Sequence, residues 1–229
     1  MLETSVIDTA TSPDGTEFVL ARRGDEWFVR VGGMLLMSSR MHDSEVELAA
    51  RAIERNQNPR AVLVGGLGLG YTLRAVLDRV PRDSEVTVAE LVPAIVEWNR
   101  THVSGLAGNP LADARAKVVL GDVFDTIKRA QRAFDVLLLD VDNGPVALSQ
   151  ASNQRLYSHR GVRACFTALR PGGVLGAWSA GPNRRFEERL AGAGFKVDVL
   201  RVPARKGSGG QHVLFLAQRP AQRTSSPPT

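Results

Sequence analysis

"AVLVGGLGLGYTLRAVL", residues 61–77, decides how the chain is read. An apolar run meets four glycines within six positions, Gly65, Gly66, Gly68 and Gly70, and a helical pattern follows. A strand, a bare stretch of backbone and a helix start together form the arrangement in which a ligand approaches the main chain closely. A glycine loop alone is a weak signal, so the neighbouring segments carry the decision.

Downstream, the apolar runs "AVLVG", "EVTVAE", "AKVVLGD", "FDVLLLD" and "GGVLGAWS" end near residues 65, 90, 122, 140 and 179, with helical stretches between them. That alternation predicts a mostly parallel sheet covered by helices on both faces. Two later strand patterns, "FKVDVLRVP" and "QHVLFLAQR", are joined by "ARKGSGG" and read as an antiparallel hairpin at the sheet edge. Upstream, residues 44–55 ("SEVELAARAIER") bring Val46, Leu48, Ala49 and Ile53 to one helical face. Before them, "TEFVLARR", "EWFVRVGG" and "MLLMSSR" read as short antiparallel strands. The expected organisation is α/β: a small β unit over 1–40, a Rossmann-like domain over 41–219, and a disordered tail over 220–229 ("PAQRTSSPPT") that has no apolar face.

Composition narrows the function. The 229 residues suit one medium domain with a small appendage. Cys165 is the single cysteine, which excludes a disulfide framework and a cysteine metal site, and it falls on an apolar pattern. Neither a signal-peptide pattern nor a bilayer-length apolar run is present, so a cytoplasmic protein without membrane attachment is expected. The 29 Lys and Arg exceed the 24 Asp and Glu by five, but the basic residues are scattered and no nucleic-acid-reading module stands out. Nucleic acid is therefore not the expected partner; a small-molecule acceptor is. His42, His102, His159 and His212 lack metal-ligand spacing, so no metal is expected. His212 is kept as an acceptor-side candidate because it starts the last strand beside the "GSGG" loop, and Trp178 as a pocket-lining or core aromatic.

In doubly wound sheets ligands bind beyond the carboxyl ends of the strands. Gly66, Gly68 and Gly70 follow the first strand, Glu90 ends the second, Asp122 follows the third and Asp140 ends the fourth. A dinucleotide fingerprint G-x-G-x-x-G fails, because its third glycine position is Tyr71. G-x-G-x-G is instead typical of S-adenosylmethionine enzymes. Glu90 is then placed to accept from the ribose hydroxyls and Asp122 from the adenine amino group. The plainer alternatives are a helix-start role for Glu90, an N-cap for Asp122 and a turn for Asp140 in "DVDNGP".

The segments "VGGMLLMSSR", the glycine loop with "TLR", "VAELVP", "LGDVFDTI", "LLLDVDNGP", "LYS", "LRPGG" and "GSGG" resemble the spermidine synthase-like (polyamine aminopropyltransferase-like) family. That resemblance implies a small N-terminal β unit before a methyltransferase-type sheet, and it makes a homodimer an expectation. It assigns cofactor contacts to Gly66, Gly68, Gly70, Glu90 with Leu91, Asp122 with Val123, and Asp140. It places Asp140 at the reacting centre, with Asp142, Asn143 and Tyr157 as acceptor contacts. Several positions depart from the family pattern. Leu69 stands where an acid holds the aminopropyl nitrogen of decarboxylated S-adenosylmethionine, Leu36 where a glutamine contacts the nucleoside, Glu45 and Val46 where a tyrosine–histidine pair is usual, and Asn143 where D-x-x-D has its second acid. These departures put methyl transfer from S-adenosylmethionine to a small polar or amine-bearing acceptor ahead of aminopropyl transfer to a polyamine. A non-catalytic nucleoside-binding regulatory protein is the third reading.

Overall fold

The computed structural model describes residues 3–12, 15–141, 151–205, 207 and 210–221. Asp142 and Asn143, the tail from 222 onward and parts of the 204–210 loop lie outside them.

The described residues form two sheets. The first is an antiparallel meander of β1 (Ser5–Thr11), β2 (Glu17–Arg23), β3 (Glu26–Val31) and β4 (Met34–Ser38). β2 to β4 match the sequence expectation. β1 is an addition: six of its seven residues are exposed, so it lacks the apolar/polar alternation that marks a half-buried strand. It is held by its pairing with β2, from Ser5 opposite Arg22 to Thr11 opposite Glu17.

The second sheet has the order β10-β11-β9-β8-β5-β6-β7. Its parallel part comprises β5 (Ala61–Gly65), β6 (Glu85–Glu90), β7 (Ala116–Leu120), β8 (Phe134–Leu139) and β9 (Leu169–Ser179). β11 (Gln211–Gln218) inserts antiparallel between β9 and the edge strand β10 (Lys196–Pro203), which is the expected hairpin. Helices α1 (Asp43–Arg55), α2 (Tyr71–Leu77), α3 (Pro93–Arg100), α4 (Val123–Arg129), α5 (Ala151–Tyr157), α6 (His159–Ala168) and α7 (Arg184–Gly192) connect the strands.

The central strands read as unbroken apolar runs because both of their faces are covered. Val62, Leu63 and Val64 of β5 and Val136 to Leu139 of β8 are all buried. On one face, α1 lays Leu48, Ala49, Ala52 and Ile53 into a core that also holds Phe18, Leu20 and Val29 of the first sheet. The small sheet is therefore packed into the same apolar cluster as the large one. On the other face, Phe124, Ile127, Val162, Cys165, Phe186 and Leu190 cover β8 and β9. Burial pushes the Cys165 thiol up to about 12, which makes it an apolar core group and not a nucleophile.

Strand order reverses around β5, which has β6 on one side and β8 on the other. The chain segments leaving these strands stay locked together. Gly66 N–H donates to the Ala89 carbonyl at 2.9 Å, Asp140 N–H to the Gly65 carbonyl at 2.9 Å, and Gly121 N–H to the Glu90 carbonyl at 2.8 Å. The loops carrying the candidate residues are thus held in register at the switch point where ligands bind in such folds.

Candidate functional site

Two adjoining cavities open at these strand ends. The first is lined by Gly66, Gly68, Ala89, Glu90, Leu91, Val92, Ile95, Gly121, Asp122, Val123 and Asp140, with Phe18, Leu36 and Met37 arriving from the small sheet. The second is lined by Leu35 to Ser38, Met41, Ser44, Glu45, Gly68, Asp140, Val141, Trp178, Ala180 and His212. Leu36, Met37, Gly68, Asp140 and Val141 belong to both, so Asp140 stands where the two meet.

The glycine loop is bare for a steric reason. Gly66 has φ +91°, and a Cβ there would lie 2.3 Å from the Asp140 carbonyl oxygen. Only glycine lets β5 and β8 approach so closely while the chain turns. Gly68 brings its backbone to both cavities. Gly70, the left-handed N-cap of α2, lines neither; it fits between Asn99 and Pro110 and starts the helix. Its role is in the turn.

Glu90 is buried at the end of β6, at 8% exposure. Its Oε2 accepts from Leu67 N–H and its Oε1 from Val92 N–H, both at 2.9 Å. The carboxylate therefore ties the glycine loop to the start of α3 while lining the first cavity. Asn99 adds a second tie, donating from Nδ2 to the Gly68 carbonyl at 2.8 Å and to the Ile95 carbonyl at 2.9 Å. Asp122 serves in two ways at once. Its Oδ1 accepts from Phe124 N–H at 2.8 Å, capping α4, and its Oδ2 accepts from Arg155 of α5 at 2.7 Å. The N-cap reading is correct, and the side chain still lines the first cavity.

Asp140 is positioned by Thr72, whose Oγ1 donates to Oδ2 at 2.5 Å. Thr72 is buried in the first turn of α2, so the helix start and the Asp140 carboxylate are coupled directly. The second cavity adds a second acid, Glu45 of α1. Burial, and then the nearby Asp140 charge, hold the Glu45 carboxyl well above the usual carboxylate range. Burial, and then the Glu45 charge, push the Tyr71 phenol up to about 12. Tyr71 stacks on His42, with ring centroids 3.9 Å apart, and its hydroxyl donates to the Ser39 carbonyl.

Across the cavity, Trp178 Nε1–H donates to Ser44 Oγ at 3.0 Å, and Ser44 Oγ lies 2.9 Å from His212 Nδ1. The Trp178 and His212 rings meet edge to face. Burial lowers the His212 pKa, favouring the neutral imidazole. Trp178 and His212 therefore form one wall of this second cavity.

Sequence reasoning missed Thr72, Asn99 and the place of Glu45. The available signal for Glu45 was its spacing: three and four residues before the buried Leu48 and Ala49, it lies on the apolar stripe of α1. Tyr157 is not brought to either cavity. It is buried in the core at 3% exposure, edge-on to Phe186.

The residues fit a sulfonium nucleoside. The first cavity supplies apolar walls from Ala89, Leu91, Val92, Ile95 and Val123, the bare backbone of Gly66 and Gly68, and the Glu90 carboxylate, a hydrogen-bond acceptor, in its lining. Among the described residues neither cavity is lined by Lys or Arg, and no His/Cys/Asp/Glu group could hold a metal ion. No helix among them is long and apolar enough to cross a membrane.

Comparison with known proteins agrees with this geometry. Residues 43–186 match the Spermine/spermidine synthase domain. Putrescine N-methyltransferase 3 of Nicotiana tabacum is 33% identical over 119 residues, 52% of this chain and 29% of that protein. Polyamine aminopropyltransferase 2 of Hyperthermus butylicus is 30% identical over 131 residues, 56% of this chain and 40% of that protein. The chain thus matches less than half the length of these relatives. The crystal structure of spermidine synthase from Thermotoga maritima superposes with a TM-score of 0.78 at 21% identity, over 95% of this chain and 74% of that one. A spermidine synthase in complex with the transition state analogue AdoDATO gives 0.77 at 20% identity, over 95% and 73%. The chain belongs to the spermine/spermidine synthase family, a family of transferases.

Proposed function

We propose that the protein transfers the methyl group of S-adenosylmethionine to a small amine-bearing acceptor. The observation that carries this reading is Leu69. At the glycine-loop position where an acid would hold an aminopropyl nitrogen, the chain has a leucine at 3% exposure, packed in the core and lining neither cavity. An ammonium facing that part of the loop would lose its ionic partner.

When bound, the cofactor supplies a carbon activated by positively charged sulfur. The chain's residues do the rest. Glu90 and the bare backbone of Gly66 and Gly68 orient the nucleoside, and the apolar walls exclude water. Asp140 stands at the junction of the two cavities, where it would orient the acceptor nitrogen and accept its proton as the N–C bond forms and the methyl–sulfur bond breaks to leave a neutral thioether. Thr72 keeps the Asp140 carboxylate in one rotamer for that task.

Aminopropyl transfer is the second reading, favoured by Glu45, an acid facing the same cavity as Gly68 and Asp140. Incubation with each cofactor and 1,4-diaminobutane, with products identified by mass spectrometry, separates the two. The reading expects a methylated amine from S-adenosylmethionine. An aminopropylated product from the decarboxylated cofactor alone would overturn it.

A further inference from the structure

The second cavity has an unusual charge composition. Two carboxylates, Glu45 and Asp140, contribute to its lining, with no Lys or Arg among the lining residues. Among the described residues, no hydrogen-bond donor reaches the Glu45 carboxylate. Its electrostatic neighbours are Asp140 and the Tyr71 phenol, neither of them a cation. A carboxylate so placed is costly unless something in the cavity neutralises it. The rest of the lining suits an alkyl chain: Leu35, Leu36, Met37, Met41 and the Trp178 ring, the last fixed by its bond to Ser44. An acid in the wall of a largely apolar cavity describes a receptor for an alkylammonium ion.

We infer that Glu45 is the specificity-determining anion of the acceptor cavity, holding the cationic nitrogen of an alkylammonium group opposite Asp140. The inference rests on the transferase reading above and deepens it, for the position of Glu45 lies on α1, outside the glycine loop and outside the strand ends. The alkylammonium has two sources, the acceptor or the aminopropyl tail of a decarboxylated cofactor; with Leu69 in the loop, the structure assigns it to the acceptor.

A second consequence follows from the surroundings. Among the described residues, Asp140 after β8 and His212 on β11 are the titratable groups that line this cavity with Glu45, and the Tyr71 phenol on α2 feels the Glu45 charge from outside the lining. His42 lies behind Tyr71, β9 contributes the non-titrating Trp178, and Asp198 of β10 pairs with Arg55 at the far end of α1. Because the empty Glu45 carboxyl is held well above the usual range, it keeps its proton where an exposed glutamate has lost it. An arriving ammonium replaces that proton, so binding of the cation releases a proton to solvent.

The test is calorimetric titration of the full chain and of Glu45→Gln and Glu45→Asp. The probes are 1,4-diaminobutane, the uncharged 1,4-butanediol, S-adenosylmethionine, its decarboxylated form and 5′-methylthioadenosine, in two buffers of different ionisation enthalpy. Methylthioadenosine carries the nucleoside without the amine tail, so equal binding to all three proteins shows that the fold and first cavity are intact. The inference expects Glu45→Gln to weaken diaminobutane binding by about ten- to a hundredfold. It expects the proton release to be lost, butanediol to be unaffected and Glu45→Asp to recover part of the affinity. A loss confined to the decarboxylated cofactor would keep the ammonium site but give it to the cofactor tail, overturning the acceptor assignment. Unchanged binding of both amines alongside normal nucleoside binding would overturn the role of Glu45 and leave the transferase reading standing. Failure of the full chain to bind any nucleoside would overturn the transferase reading instead, with diaminobutane binding still read separately.

Discussion

Glu90 is buried and Glu45 half-buried beside the same cleft, and the chain treats them in opposite ways. Glu90 receives two backbone N–H bonds, so its charge is balanced by the peptide groups of the loop and helix that it joins. Glu45 lies in the first turn of α1, yet no hydrogen-bond donor among the described residues reaches its carboxylate, and the charge that acts on it is that of another acid, Asp140. A carboxylate satisfied by main chain is a fixed part of a binding cradle. One that the protein leaves unsatisfied stores a demand for a cation. On the proposed reading the first cavity takes the nucleoside and the second the charged group, with Asp140 lining both.

The sharpest way to break this contrast is Asp140→Asn, which keeps the shape and removes the charge at the junction. Turnover is expected to fall by about 10²- to 10⁴-fold, with a much smaller loss of methylthioadenosine binding, since Asp140 is one of many residues lining the first cavity. Unchanged product formation would remove Asp140 from the chemistry, and a protein that binds nucleoside but forms no product even in the native sequence would be the non-catalytic regulator.

Gly66→Ala is next in size. The new Cβ meets the Asp140 carbonyl oxygen in a left-handed backbone, so β5 and β8 must separate. Denaturant unfolding should show a loss of about 2–4 kcal/mol, with nucleoside affinity lost in parallel.

Glu90→Gln sharpens the comparison from the first cavity. Methylthioadenosine affinity should drop about tenfold, as a neutral amide accepts less strongly and turns one N–H toward a backbone donor. Diaminobutane binding should be unaffected, the mirror image of Glu45→Gln.

The smaller effects concern stability. Asp122→Ala removes the α4 cap and should cost about 1 kcal/mol by thermal or chemical unfolding; the exposed Arg155 partner adds little. For Glu45 the sign is set by its raised folded-state pKa. The folded protein binds the extra proton, so stability declines as pH rises above the ordinary glutamate value toward the raised one. Glu45→Gln should accordingly raise Tm at neutral pH, by about 2–4 °C for each kcal/mol of repulsion relieved. That difference should vanish near pH 4, and a difference of the opposite sign would mean that Glu45 is ion-paired in the folded protein.

The parts of the molecule legible in the sequence are those where local pattern and tertiary burial agree. β5 and β8 are buried on both faces and read as continuous apolar runs; β10 and β11 carry a visible turn between them. The gathering of Glu90, Asp122 and Asp140 around one cavity was legible because the strand ends of a doubly wound sheet converge at its switch point. β1 was not, because an exposed strand held by one neighbour has no apolar period. Glu45 and Thr72 were not, because their roles depend on α1 and α2 packing over the same strand ends, which spacing within one helix does not show. Gly70 and Tyr157 mark the reverse error: motif position suggested ligand contact, and packing put both among structural neighbours. Asp142 and Asn143 lie outside the described residues.

The most direct test of the central claim is the affinity of the full chain for S-adenosylmethionine against its decarboxylated form, measured by calorimetry under one buffer and salt condition. The two differ by a single carboxylate near the loop where Leu69 stands in place of an acid. Methyl transfer predicts that the intact cofactor binds at least about tenfold more tightly, about 1.4 kcal/mol. A tenfold preference for the decarboxylated form would contradict the account and make Glu45 the acid that holds an aminopropyl group.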